Sequence, residues 1–121
     1  MQRIICKSKI HGIHVTEVNL HYAGSIEIDA EILEKADIFP NEIVQVVNVA
    51  NGERFETYVM PGKKGSRICR LNGGAARLGE VGDPIIIISY GFLDTADART
   101  YTPKILRMDE RNRILKDEKN S

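Results

Sequence analysis

Tryptophan is absent, and three phenylalanines and four tyrosines are all that remain to stack on a base or a sugar. An aromatic nucleic-acid platform therefore has little to build on. An excess of one charge is missing too, since 17 Lys and Arg balance 17 Asp and Glu. That leaves neither the electrostatic footprint of a nucleic-acid binder nor attraction to an anionic membrane. The longest purely aliphatic run, residues 85–88, is far short of the roughly 20 residues a spanning helix needs, and it reads as a buried strand. Cys6 and Cys69 are the only cysteines. They form no CxxC pair and no zinc spacing, and the chain opens without a charged-then-apolar signal segment. A reducing cytoplasm and no membrane span are the expectation.

What is present is a chain of 121 residues rich in β-branched side chains and turn dipeptides. That length suits one domain, and the composition predicts a mainly β fold. Residues 3–10 alternate loosely, 13–18 resume the alternation, and 25–28 form a short extended piece. Asp29 can cap a helix over 30–36, where Ile32, Leu33 and Ala36 share one apolar face. Pro40-Asn41 ends it. Residues 43–49 and 55–60 then read as a hairpin turned at Asn51-Gly52. A polar loop follows over 61–65, then a strand over 67–71, a turn at Asn72-Gly73-Gly74 and a helical turn over 75–78. Residues 84–90 and 100–107 supply two more extended segments. About six or seven strands with short helices predict a small closed barrel, because closure removes exposed edges.

Charge is unevenly placed. Residues 1–60 hold five basic and nine acidic side chains, net −4, and residues 61–121 hold twelve and eight, net +4. Such an asymmetry favours contact between complementary subunits. Residues 109–121 are charged and sparsely apolar, which predicts a flexible tail. No repeat, low-complexity tract or dividing linker breaks the single domain.

Standard cofactor and hydrolase signatures are absent: there is no GxGxxG, no GxxxxGK followed by Ser or Thr, no HExxH and no nucleophile elbow. His11 and His14 are three apart, which in an extended segment sends them to opposite faces rather than into one metal site. His21 adds no ligand spacing, so no metal is expected. Gly24-Ser25 is more suggestive. Gly24 has no Cβ to shield its carbonyl, and the Ser25 hydroxyl could attack that carbon, exchanging an amide for an ester. Gly-Ser pairs are also ordinary turn residues.

The surroundings of that pair narrow the reading. Lys9-Ile10-His11, Leu20-His21-Tyr22 with Gly24-Ser25, Asn51-Gly52-Glu53-Arg54-Phe55 with Thr57-Tyr58, Gly65-Ser66-Arg67 with Asn72-Gly73, and Val81-Gly82-Asp83 occur in order. Together, from the N-terminus to about Pro103, they resemble the pyruvoyl-dependent aspartate 1-decarboxylases. The resemblance implies a double-psi β-barrel, a homotetramer with active sites between subunits, and conversion of L-aspartate to β-alanine for pantothenate and coenzyme A synthesis. It also implies self-cleavage between Gly24 and Ser25, leaving a covalent pyruvoyl group made from Ser25. That group would form a Schiff base with the substrate amine and supply an electron sink that ordinary side chains lack.

Roles follow by the same resemblance. Arg54 offers a two-donor fork to the α-carboxylate and Lys9 a compact charge to the side-chain carboxylate. Tyr58 donates the proton to the carbanion. Thr57 steadies the Gly24 carbonyl during Ser25 attack and contributes to substrate binding. Asn72, Gly73, Gly74 and Ala75 bind substrate, while His11, Tyr22 and Ala76 line the site. Gly74 departs from the alanine common in an Asn-Gly-Ala-Ala run. The C-terminal tail departs most, which leaves the need for a maturation factor undetermined by sequence. Taken singly, each of these residues has a plain competitor as a solvated charge, a packed aromatic or a turn former. Two other functions stay open at this stage: a non-enzymatic β-barrel interaction module, or an unprocessed proenzyme, and a related decarboxylase acting on glutamate, one methylene longer.

Overall fold

A computed structural model describes residues 1–115. Its strands are β1 (Gln2–His14), β2 (Glu17–Asn19), β3 (Ser25–Asp29), β4 (Ile43–Asn48), β5 (Arg54–Gly62), β6 (Cys69–Asn72), β7 (Pro84–Asp94) and β8 (Lys104–Arg107). Helix α1 (Ala30–Ala36) follows β3, a 3₁₀ helix (Gly73–Leu78) follows β6, and a single turn, α2 (Thr95–Ala98), follows β7. All eight strands share one sheet in the order β2-β6-β3-β5-β4-β7-β1-β8. The end strands of that ladder, β2 and β8, are not paired with each other. The expected mainly β chain with short helices is therefore present, with eight strands rather than six or seven, and hydrogen bonds do not close it into a barrel.

Three pairings are parallel, β1 with β8, β2 with β6 and β3 with β5, and the rest are antiparallel. One face of the sheet wraps the core. Ile10, Ile26, Val44, Val46, Val59 and Ile87 are fully buried there, joined by Ile32 and Leu33 of α1. The helix begins where the sequence places it because the Asp29 side chain accepts from the Glu31 amide at 2.8 Å, satisfying one of the donors that a helix start leaves free. The same carboxylate accepts from the amides of Gly65 and Arg67, so it also ties down the loop that leads into β6.

Strand β1 is one strand where two were expected. Gly12, at φ +88°, absorbs a bulge, and the pairing with β7 shifts between His11 and Ile13. The bulge overturns the face assignment for the two histidines: His11 and His14 sit opposite Ile86 and Pro84, two apart on β7, so they share a face. In the β4–β5 hairpin, Asn48 and Asn51 accept from the amides of Ala50 and Glu53, which makes the connection longer than a two-residue turn. The expected polar loop at 61–65 starts later, because Pro61 and Gly62 still pair with Ile28 and Asp29.

The tail expected from residue 109 divides in two. Residues 109–115 fold back on the sheet: Met108 bridges Ile114, and the Leu115 amide donates to the Arg107 carbonyl at 2.8 Å. Asn112 is buried, accepts from the His14 amide at 2.7 Å and donates to the carbonyls of His14 and Arg67. Local composition gave no hint of these long-range bonds. The rest of the expected tail, 116–121, lies outside the described residues.

Candidate active site

Ser25 opens β3 opposite Asn72, the last residue of β6. Both are fully buried, although each is a small polar side chain. Asn72 Nδ2 donates to Ser25 Oγ at 3.1 Å, and the Ser25 hydroxyl donates to the Ala23 carbonyl at 3.3 Å. The other end of the amide, Asn72 Oδ1, is buried and has no partner. A buried acceptor left unpaired is costly, on the order of 1–3 kcal/mol, and marks a place where a ligand or a transient donor can be accommodated.

Gly73 completes this corner. Its φ is +65°, and a Cβ there would stand 2.7 Å from both the Gly24 Cα and the Tyr22 carbonyl oxygen. Only glycine lets the start of the 3₁₀ helix lie flat against the Gly24 backbone. Gly74 is exposed, Ala75 buried, Ala76 half-buried and Tyr22 exposed. Register places the next residues. Ile26 pairs with Val59 in the parallel β3–β5 ladder, so one residue earlier on each strand are Ser25 and Tyr58, and two earlier are Gly24 and Thr57. Among the described residues, neither Thr57 nor Tyr58 makes a side-chain hydrogen bond to Gly24 or Ser25.

Cross-strand partners lie on one face of a sheet, and this resolves where the charged candidates stand. Arg107, His11, Ile86, Val47 and Arg54 form one row across β8, β1, β7, β4 and β5. Ile105, Lys9, Ile88, Gln45 and Glu56 form the next. Both rows lie on the face opposite the core, which Tyr58 and Ser25 share by alternation along β5 and β3. Arg54 Nη2 donates to Gln45 Oε1 at 2.9 Å, and the Tyr90 hydroxyl donates to the same oxygen at 3.0 Å. Lys9 is four interstrand steps from Ser25, roughly 19 Å along the sheet at about 4.8 Å per step. Within one chain the sheet therefore brings Ser25, Gly24, Asn72 and Gly73 together, and Thr57 and Tyr58 level with them, while Lys9 and His11 stand apart.

Burial, followed by the positive charges of Lys9 and Arg107, lowers the His11 pKa from its ordinary value. Desolvation pushes the Cys69 thiol up to about 12, so it is no source of thiolate at neutral pH. Among the described residues, no three His, Cys, Asp or Glu side chains converge as a metal-ligand set, and no helix is long and apolar enough to cross a membrane. Sequence reading missed Asn48, whose amide donates to Asp83 Oδ2 at 2.9 Å and to the Leu78 carbonyl at 3.1 Å, fastening the 3₁₀ helix to the hairpin. The Asn51-Gly52 turn beside it was the visible signal, and it drew attention to the loop rather than to the buried residue before it.

The sequence model of a family described as aspartate decarboxylase matches residues 1–115. An aspartate 1-decarboxylase of Desulfitobacterium hafniense (strain DSM 10664 / DCB-2) is 60% identical over 116 residues, covering 96% of this chain and 91% of the relative. That of Heliobacterium modesticaldum is 53% identical over 97% of this chain and 89% of the relative. The Thermoanaerobacter pseudethanolicus enzyme is 54% identical over 93% of this chain and 97% of its own length.

Proposed function

Since this chain belongs to the aspartate decarboxylase family, we propose that it decarboxylates L-aspartate to β-alanine and CO2 after cleaving itself between Gly24 and Ser25. The observation that carries the self-cleavage is the buried Ser25–Asn72 pair lying against a glycine-only contact at Gly24. Ser25 Oγ adds to the Gly24 carbonyl carbon as its proton leaves, and breaking of the Gly24–Ser25 C–N bond makes an ester. Loss of the Ser25 α-proton then expels the Gly24 carboxylate. The remaining dehydroalanine takes up water and releases ammonia, leaving a pyruvoyl group at position 25. Asn72 fixes the rotamer of Ser25, and Thr57, two residues before Val59 on β5, steadies the Gly24 oxygen as charge develops on it.

The residues present fit the group. The unpaired Asn72 Oδ1 and the bare Gly73 backbone leave polar capacity and room beside position 25. When present, the pyruvoyl group supplies a ketone for the substrate amine and an electron sink for the departing CO2. Arg54 receives the α-carboxylate, with Gln45 holding its guanidinium from behind. Tyr58 delivers the proton to the former α-carbon, and Gly73, Gly74 and Ala75 let substrate approach the backbone, with Tyr22 and Ala76 at the rim. Lys9 receives the side-chain carboxylate. Its four-strand separation from Ser25 favours a site completed by a second copy of the chain, and so a homotetramer. The parallel β1/β8, β2/β6 and β3/β5 pairings favour the double-psi arrangement of the barrel.

Denaturing intact mass with fragment sequencing tests the reading. Two fragments, one ending at Gly24 and one beginning with a pyruvoyl group, together with β-alanine formed from aspartate, are expected; Ser25→Ala should give one inactive chain of full length. A cleaved and active Ser25→Ala protein would overturn the origin of the cofactor. Faster turnover of glutamate than of aspartate would reject the substrate.

A further inference from the structure

Lys9 has been assigned the side-chain carboxylate, but it does not stand alone on its face. Strand β8 runs parallel to β1 with Lys9 opposite Ile105 and His11 opposite Arg107. Leu106 packs against the core, so alternation turns Ile105 and Arg107 outward beside Lys9 and His11. Arg107 is exposed, and Lys9 and His11 are half-buried. Among the described residues neither Lys9 nor Arg107 takes part in a salt bridge, although five such pairs form elsewhere. The acidic member of the Lys9 row, Glu56, stands three strands away, roughly 14 Å at about 4.8 Å per step.

Beneath these groups the floor is apolar. Ile86, Ile88 and Ile105 are half-buried and occupy the same two rows. Two cations and an imidazole thus stand beside apolar side chains, and the acidic member of these two rows, Glu56, is three strands from Lys9. Such a surface strengthens attraction for an anion. The lowered His11 pKa reports the same crowding: after burial, Lys9 and Arg107 are the charges that hold the ring neutral. A neutral ring keeps one nitrogen as a donor and leaves the charge pairing to Lys9 and Arg107.

We propose that Arg107 is a substrate-binding residue, the second cation that, with Lys9 and across His11, holds the side-chain carboxylate of the dicarboxylic substrate. The inference rests on the decarboxylase reading and deepens it. Lys9 alone is a point charge indifferent to the orientation of a carboxylate. A guanidinium one strand over supplies paired donors that fix its plane. Lys9 and Arg107 together then fix where the side-chain carboxylate can sit, and so which chain length of dicarboxylic substrate the site accepts.

The test compares the processed wild-type protein with Arg107→Gln and Arg107→Lys. Arg107→Gln should cleave normally and keep kcat within about twofold, while KM for aspartate rises about tenfold or more. Arg107→Lys should recover much of that loss. An unchanged KM, or a variant that fails to cleave or assemble, overturns the proposal. A second readout follows the His11 ring protons by NMR in uncleaved Ser25→Ala as succinate is added. Succinate should shift them saturably, and Arg107→Gln in the same background should weaken the effect; an indifferent His11 also overturns it. If wild type makes no β-alanine yet succinate still titrates His11 through Arg107, the decarboxylase reading fails and the anion subsite stands.

Discussion

Gly73 and Asn72 show how much of the chemistry is carried by single residues with no catalytic group of their own. Replacing Gly73 with alanine asks a side chain to occupy φ +65° and to sit 2.7 Å from Gly24. The strain alone is on the order of 1–3 kcal/mol, and relief requires displacing the Tyr22–Gly24 backbone, and with it the carbonyl that Ser25 attacks. Gly73→Ala should therefore fold with a lowered unfolding midpoint and accumulate uncleaved chain; gel or mass detection of the full-length species over time checks it, and wild-type cleavage kinetics would remove Gly73 from the maturation geometry. The types of residue involved were legible in sequence because the motifs that contain them are distinctive. Their contact was not, since Ser25 and Asn72 are 47 positions apart and meet only through the antiparallel β3–β6 register.

At the scale of the element, legibility followed how local the forces are. Helix α1 is found at 30–36 as expected because its Asp29 cap and its apolar face lie within a few residues of one another, although it stops at the left-handed Asp37 (φ 59°) rather than at Pro40-Asn41. Strand β1 was split in the sequence reading because a bulge breaks alternation without breaking the strand. The same local blindness produced the expected flexible tail from residue 109. Its first part, 109–115, is instead held by Asp109, whose carboxylate accepts from the amides of Arg111 and Arg113 and from Arg113 Nε. Those bonds, led by the Arg113 amide, hold the Asp109 pKa down to about 2 from an ordinary 3.8. A depressed carboxylate pKa means the unfolded turn binds more protons, so the contribution is present above pH 3.8 and is lost as pH falls toward about 2. Amide exchange at Arg111 and Arg113 should be slow at pH 5, after correction for intrinsic rates, and lose protection across that acid window. Asp109→Asn should show less protection at pH 5 and little further change on acidification.

For the whole molecule, the proposed cleavage between Gly24 and Ser25 would not divide the fold where it divides the chain. Residues 1–24 contribute β1, which lies in the ladder between β7 and β8, and β2, which pairs with β6. Ile10, Ile13 and Val15 of this segment are buried in the common core. The two pieces should co-elute in native size exclusion and separate only in denaturant; dissociation of the N-terminal piece under native conditions would contradict this topology.

The position of β1 would also change what kind of equilibrium a cleaved protein obeys. Before cleavage, unfolding of each subunit's chain is an intramolecular event. After the proposed cleavage the folded subunit would be a heterodimer of a 24-residue peptide and its complement, so its apparent melting temperature would rise with protein concentration and its recovery from denaturant would become second order. Persistence of the matured fold in dilute solution would then be governed by how rarely the inserted strand escapes.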